Sequence, residues 1–208
     1  MAGVTTQVTA GRREQLLAAA DRVVQREGSA ASMNVIAAEA GITKPILYRH
    51  FGDKGGLYRA LAERHIDTLL ARLRAALLTR GGLRARTHAT VDAYLAAVEE
   101  QPQVYRFLVQ RAAVEEPDVR GQVVGFVRRF GDELAMGIAS EPELAGVDPQ
   151  RAVVWAQAIA GMVQGVGDWW LDHPEVSRAT VVDEVAALIW EGFTGGSGVV
   201  HRPFTGHS

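Results

Sequence analysis

The chain has 208 residues, 48% hydrophobic and 22% charged, enough apolar material for a core in one large domain or two small ones. The absence of cysteine excludes disulfides and thiolate metal sites; no apolar run nears the roughly 20 residues of a membrane span, and the N-terminus lacks the apolar stretch of a secretory signal, so no membrane is expected and the expected compartment is the cytoplasm. The net charge of −2 is unevenly spread: up to His65 nine Lys and Arg stand against six Asp and Glu, and the remainder is acidic, so a nucleic-acid contact belongs to the N-terminal part.

Helical periodicity runs through the chain, and hairpin signals are nearly absent. Leu16, Leu17, Ala20, Val23 and Val24 form one apolar stripe of a helix over residues 11–27, which Gly28 ends. Ser32 caps a short helix that stops near Gly41. Thr43 caps a third helix, and Asp53 caps a long one from Lys54 to about Thr79, broken by Gly81 and Gly82. Pro102 opens a short segment. Pro117 sits in the first turn of a helix reaching about Ile138. Residues 140–149 form a loop, a helix follows from Gln150 to about Leu171, and a last helix spans about Glu175 to Phe193. The Gly- and Ser-rich tail at 195–208 is expected to be disordered. The expected fold is all-α: a three-helix helix-turn-helix unit over 1–53, then six helices over 54–194 forming a second domain.

The densest information lies between Ser32 and Lys54, which also holds the only two lysines, Lys44 and Lys54. With about 100° per residue, Pro45, Tyr48 and Arg49 fall within about 140° of Lys44, while Ile46, Leu47 and His50 gather on the opposite face. A cation, a proline, a phenol and a guanidinium pointing outward suit a recognition helix in the major groove. Arg49 fits a guanine edge bidentately, Lys44 a base or a phosphate, Tyr48 a phosphate oxygen, and Pro45 a thymine methyl. Lys54 and the free N–H groups after Asp53 form a helix start that attracts anions. The hydroxyls of Ser32 and Thr43 cap helix starts and can also meet phosphates. Arg12 and Arg13 sit where an N-terminal arm would cross the DNA backbone.

Residues 16–57 resemble the N-terminal domain of the TetR family of bacterial regulators. The matching features are Ile36-Ala37, Ala40-Gly41-Ile42, Thr43, the run Leu47-Tyr48-Arg49-His50-Phe51, Lys54 and Leu57-Tyr58. The resemblance implies DNA contacts by Lys44, Pro45, Tyr48, Arg49, His50 and Lys54. Gly55-Gly56 departs from the family's usual charged pair. Two glycines weaken a helix start by about 1 kcal/mol each, and the expected consequence is a looser joint between head and body.

The resemblance also implies a ligand cavity among the middle helices. Its expected lining is Leu69, Leu73, Tyr94, Phe107, Phe126, Phe130, Trp155 and Ile159, which suits a small hydrophobic effector such as a fatty acid, its thioester or another lipid-like molecule. Residues 156–170 carry a small-residue stripe, Ala158, Gly161 and Gly165, beside a bulky one. The last helix adds Val182, Val185, Ala186, Ile189 and Phe193. Two such helices fit a two-fold four-helix interface of a homodimer, with two recognition helices about 34–36 Å apart on a palindromic double-stranded operator.

Enzyme signatures are missing: there is no phosphate loop after a strand, no nucleophile elbow and no His-Glu-x-x-His. The six histidines show no i,i+4 metal pair, so neither metal nor cofactor is expected. Glu115 and Glu116 are expected to be a solvated pair. The expected function is repression, released when ligand in the body tilts the helix beginning at Lys54. The alternatives are an activator and a regulator without a small-molecule effector.

Overall fold

The computed structural model describes residues 2–196, with side chains from Gly11 to Gly192. The described residues form nine helices and no strand. Three make the head: α1 (Ala2–Glu27), α2 (Met33–Glu39) and α3 (Lys44–Phe51). The body has α4 (Lys54–Leu77), α5 (Leu83–Glu100), α6 (residues 102–115), α7 (Pro117–Ser140), α8 (Pro149–Trp170) and α9 (Arg178–Gly196). The first helix begins nine residues before Gly11, which is tolerated inside it. The last begins later than its periodicity suggests, because Ser177 accepts the Thr180 N–H and sets the start. It also continues past Phe193, whose side chain, like the tail from 197 onward, lies outside the described residues.

The head closes around the predicted stripe. Leu16, Leu17, Ala20, Val23 and Val24 are buried together with Ile36, Ala37, Leu47 and Phe51. Ser32 caps α2 by accepting the Val35 N–H at 3.4 Å. The α2–α3 turn is a Schellman closure: Ile42 N–H reaches the Ala37 carbonyl and Gly41 N–H the Ala38 carbonyl, both at 3.0 Å. Gly41 sits at φ +66°, a conformation only glycine adopts without a Cβ penalty. Arg22 and Arg26 both bond Glu39 and lock α2 onto α1, and Arg22 first, then Arg26, hold that carboxyl below its ordinary range.

The joint to the body is tight where looseness was expected. Asp53 Oδ1 accepts the Gly56 N–H at 2.7 Å and caps α4. A Cβ at Gly56 would overlap the Phe51 carbonyl oxygen, so glycine there is required by a close backbone approach. Only Gly55 has flexible company, the end of the Glu116 side chain.

In the body, α7 and α8 pack antiparallel along their lengths, and α4 and α9 both pack on α5. The short segment expected after Pro102 is a continuous helix. It has an α-helical turn over Pro102–Arg106, a π-helical stretch over Phe107–Ala112 and a final turn over Ala113–Glu115. A π-helical stretch is costly and often marks a functional position. This one places Phe107 edge-on against Tyr58 of α4, with ring centroids 4.9 Å apart.

Candidate nucleic-acid interface and body cavities

The outward face of α3 carries the predicted set. Lys44, Pro45 and Arg49 are exposed, as is Thr43, whose hydroxyl makes no capping bond. Tyr48 and His50 are half-buried; the Tyr48 ring packs on the edge of the core and lies 5.5 Å below the Lys44 ammonium. Leu47 and Phe51 anchor the helix from beneath. Arg13 is engaged, its guanidinium 5.0 Å from the Phe51 ring centre. Arg12 is exposed and bonds Gln15. Ser32 is half-buried and committed to its cap.

Lys54 does not stand free at the start of α4. Its ammonium is 2.6 Å from Glu115 at the end of α6. The hydrogen bond from Lys54, against the opposing effect of burial and with help from Arg111, holds the Glu115 carboxyl below its ordinary range; the same bond raises Lys54. Arg111 also donates to the carbonyls of Ser29 and Ala31 in the α1–α2 connection. Lys54, Glu115 and Arg111 thus form a clasp between the two parts. The expectation of a merely solvated Glu115 is corrected. Carboxylates at a helix C-terminus meet an unfavourable dipole unless cations offset it, and that conflict was the available signal. A second tie is the 2.6 Å bond between Asp21 of α1 and His65 of α4.

Two adjoining, mainly apolar cavities lie in the body. The larger, about 370 Å³, is lined by Leu73, Tyr94, Phe126, Phe130 and Ile159 among others. The smaller, about 120 Å³, takes in Leu69, His65, Tyr105 and Leu108 and shares Tyr94 and Phe126 with the first. Six of the eight predicted lining residues are therefore in the walls. Phe107 and Trp155 are not: Phe107 packs edge-on against Tyr58, and Trp155 lies under the Arg151 guanidinium at 4.6 Å. The charged groups at the walls are paired, Arg86 with Glu141 beside the larger cavity and Arg72 with Glu100 beside the smaller. Sequence reasoning missed one buried polar chain. The Tyr94 hydroxyl lies 3.0 Å from that of Tyr105, which donates to Asp168 at 2.7 Å. Burial, as the main cause, pushes both phenols up, so both stay protonated.

On α8 the predicted stripe, Ala158, Gly161 and Gly165, is exposed, flanked by Val154 at 64% and Trp169 at 48% exposure. On α9 the assignment changes. Val182, Val185, Ala186 and Ile189 are buried in the protomer, because α9 lays that face on α5. Among the described residues of α9, Leu188, 59% exposed, is a large apolar side chain left outward.

Residues 16–61 match the family described as bacterial regulatory proteins, tetR family, and residues 72–200 match the tetracyclin repressor-like C-terminal domain. The chain is 33% identical over 196 residues to the HTH-type transcriptional activator FasR of Mycolicibacterium smegmatis, covering 93% of this chain and 85% of that protein. A TetR-like regulator from Rhodococcus sp. RHA1 superposes with a TM-score of 0.68 at 25% identity, over 88% of this chain and 96% of that one. A tetR-family regulator from Streptomyces coelicolor, at 22% identity, shares the fold with a TM-score of 0.74 over 90% and 82%. Together with the three-helix head and its exposed cationic face, these likenesses make the chain a member of the TetR family, a DNA-binding transcriptional regulator and not an enzyme.

Proposed function

We propose that this regulator binds a palindromic double-stranded operator as a homodimer and that a small hydrophobic effector in the body changes its affinity for DNA. The observation that carries the reading is the pairing of an exposed Lys44-Pro45-Arg49 face, with Tyr48 half-buried beside it, with an apolar cavity of about 370 Å³, joined through α4. In this reading 1–53 is the DNA-binding unit and 54–194 the sensing and dimerising one. Arg49 and Lys44 meet base edges, Pro45 a thymine methyl, and Tyr48, Thr43 and Lys54 phosphates. Arg12, Ser32 and His50 flank them. The exposed small stripe of α8 is where a second copy packs. DNA as partner places the protein in the cytoplasm.

The effector acts only through different affinities for two states of the protein. Ligand in the smaller cavity touches Leu108 and Val109 in the π-helical stretch of α6. The same helix ends on Glu115, which holds Lys54. A shift of α6 therefore reaches the start of α4 and, through it, the distance between the two recognition helices.

Repression is the outcome expected when an operator-bound dimer blocks polymerase. The name of the Mycolicibacterium smegmatis relative favours the opposite sign, activation by the DNA-bound form. Two measurements test the reading. The full chain should retard its own promoter fragment with a steep salt dependence, and a panel of fatty acids and their thioesters should alter that binding. If no apolar compound changes the affinity, the effector half fails; a reporter with and without the protein decides the sign.

A further inference from the structure

Four side chains line both cavities, and one of them is also tied into a buried chain of hydrogen bonds. Tyr94, on α5, lines both, and so do Phe126, Val127 and Gln164. The Tyr94 ring is buried and fixed from two directions. Its edge leans on Gly167 of α8, where any Cβ would fall 2.8 Å from a ring carbon. Its hydroxyl is held by Tyr105. A phenol has one proton to give, and that of Tyr105 goes to Asp168. Tyr94 must then be the donor in its 3.0 Å bond to Tyr105. Swinging the ring aside strips a buried donor of its partner, which opposes opening.

We propose that Tyr94 sets the length of apolar chain that the body accepts, as a latched partition between a larger and a smaller compartment. The inference rests on the hydrophobic-effector reading. A chain that fits the larger cavity binds with the tyrosine chain intact. A longer one must enter the smaller cavity, and does so only by breaking the bond between Tyr94 and Tyr105.

The test uses the full-length protein and straight-chain saturated fatty acids from octanoate to stearate, so that length alone varies. Titration calorimetry of the wild type should show affinity rising with length and then falling once the larger cavity is full. Tyr94→Ala should remove that fall and favour the long members. Tyr105→Phe keeps the ring and removes the latch; it should improve long-chain binding about tenfold, the equivalent of one buried hydrogen bond, and leave short chains unchanged. Gly167→Ala, which displaces the ring without deleting it, covers the case in which Tyr94→Ala does not fold. An identical length profile in the wild type and all folded variants overturns the partition and leaves the effector reading standing. Absence of binding by every chain to every form overturns both.

Discussion

Replacing Glu115 by glutamine tests the clasp between body and head. In the free protein Lys54 sits 2.6 Å from this carboxylate, with the two side chains 38% and 34% exposed. Gln preserves the shape and a hydrogen-bond acceptor but removes the charge that competes with a DNA phosphate for Lys54. The pair is at the surface, so its net worth is about 0.5–1 kcal/mol, not the several kcal/mol of a bare Coulomb estimate. Removing the competition should tighten promoter binding roughly two- to fivefold, since 1.4 kcal/mol is a factor of ten. Lys54 would then engage its phosphate more fully, so the salt slope should steepen by up to about 0.9, the contribution of one phosphate contact. Fluorescence anisotropy across a salt series measures both. Glu133→Gln is the control: it removes the same charge from a pair with Arg74, away from the head. Equal changes in the two variants, or no change in the first, refute the competition.

Acid should loosen the same clasp. Lys54 and Arg111 hold the Glu115 carboxyl below its ordinary range, so its stabilising effect is complete above the usual carboxylate range and is lost as pH falls through the depressed value; acid-side melting curves should be flatter in Glu115→Gln. At the α4 start, Gly56→Ala should cost about 1–3 kcal/mol by overpacking against the Phe51 carbonyl, whereas Gly55→Ala should be neutral or gain up to about 1 kcal/mol of helix propensity; denaturant midpoints that reverse this order would refute the close approach. Arg49→Ala should relax preference at one base pair by about 1–3 kcal/mol, while Tyr48→Phe should weaken all sequences alike; a binding-site selection on randomised DNA separates the two outcomes. Gly161→Glu should halve the mass seen by light scattering, and an unchanged dimer would move the interface off the α8 stripe.

What was legible in the sequence follows from how local each cause is. The face of α3 depends on eight residues and one helical period: Lys44, Pro45 and Arg49 are exposed and Leu47 buried as on the wheel, while Tyr48, placed outward, and Ile46 and His50, placed inward, are all half-buried. Gly41 and Asp53 act within five residues of themselves, so the turn and the α4 cap were readable. Gly56 was misread because its partner, the Phe51 carbonyl, belongs to the preceding helix end, and propensity alone prices a glycine as a weakness. The apolar excess of α9 is real, but counting side chains does not say what covers them, and α5 covers Val182, Val185, Ala186 and Ile189 first. Phe107, expected in the cavity lining, packs instead on the Tyr58 ring of α4, a contact between residues far apart in the chain that no local pattern gives. The tyrosine chain joins residues 11 and 63 positions apart, a pairing that no periodicity predicts.

Two of these misreadings, Phe107 and the tyrosine chain, share one place, α6. Tyr105, Phe107, Arg111 and Glu115 lie on one helix and touch four different things: the latch on Tyr94, the Tyr58 ring of α4, the carbonyls of the α1–α2 connection, and Lys54. A regular α-helix would not give these four residues their present directions, since inserting a π turn rotates everything after it relative to everything before. Both ends of α6 meet the head, Gln103 beside Gly28 and Arg111 on the carbonyls of Ser29 and Ala31, while Val104, Tyr105, Leu108 and Val109 line the smaller cavity. One helix that lines the smaller cavity through Leu108 and Val109 and ends on Lys54 through Glu115 is the contiguous element that the proposed coupling of the two sites needs.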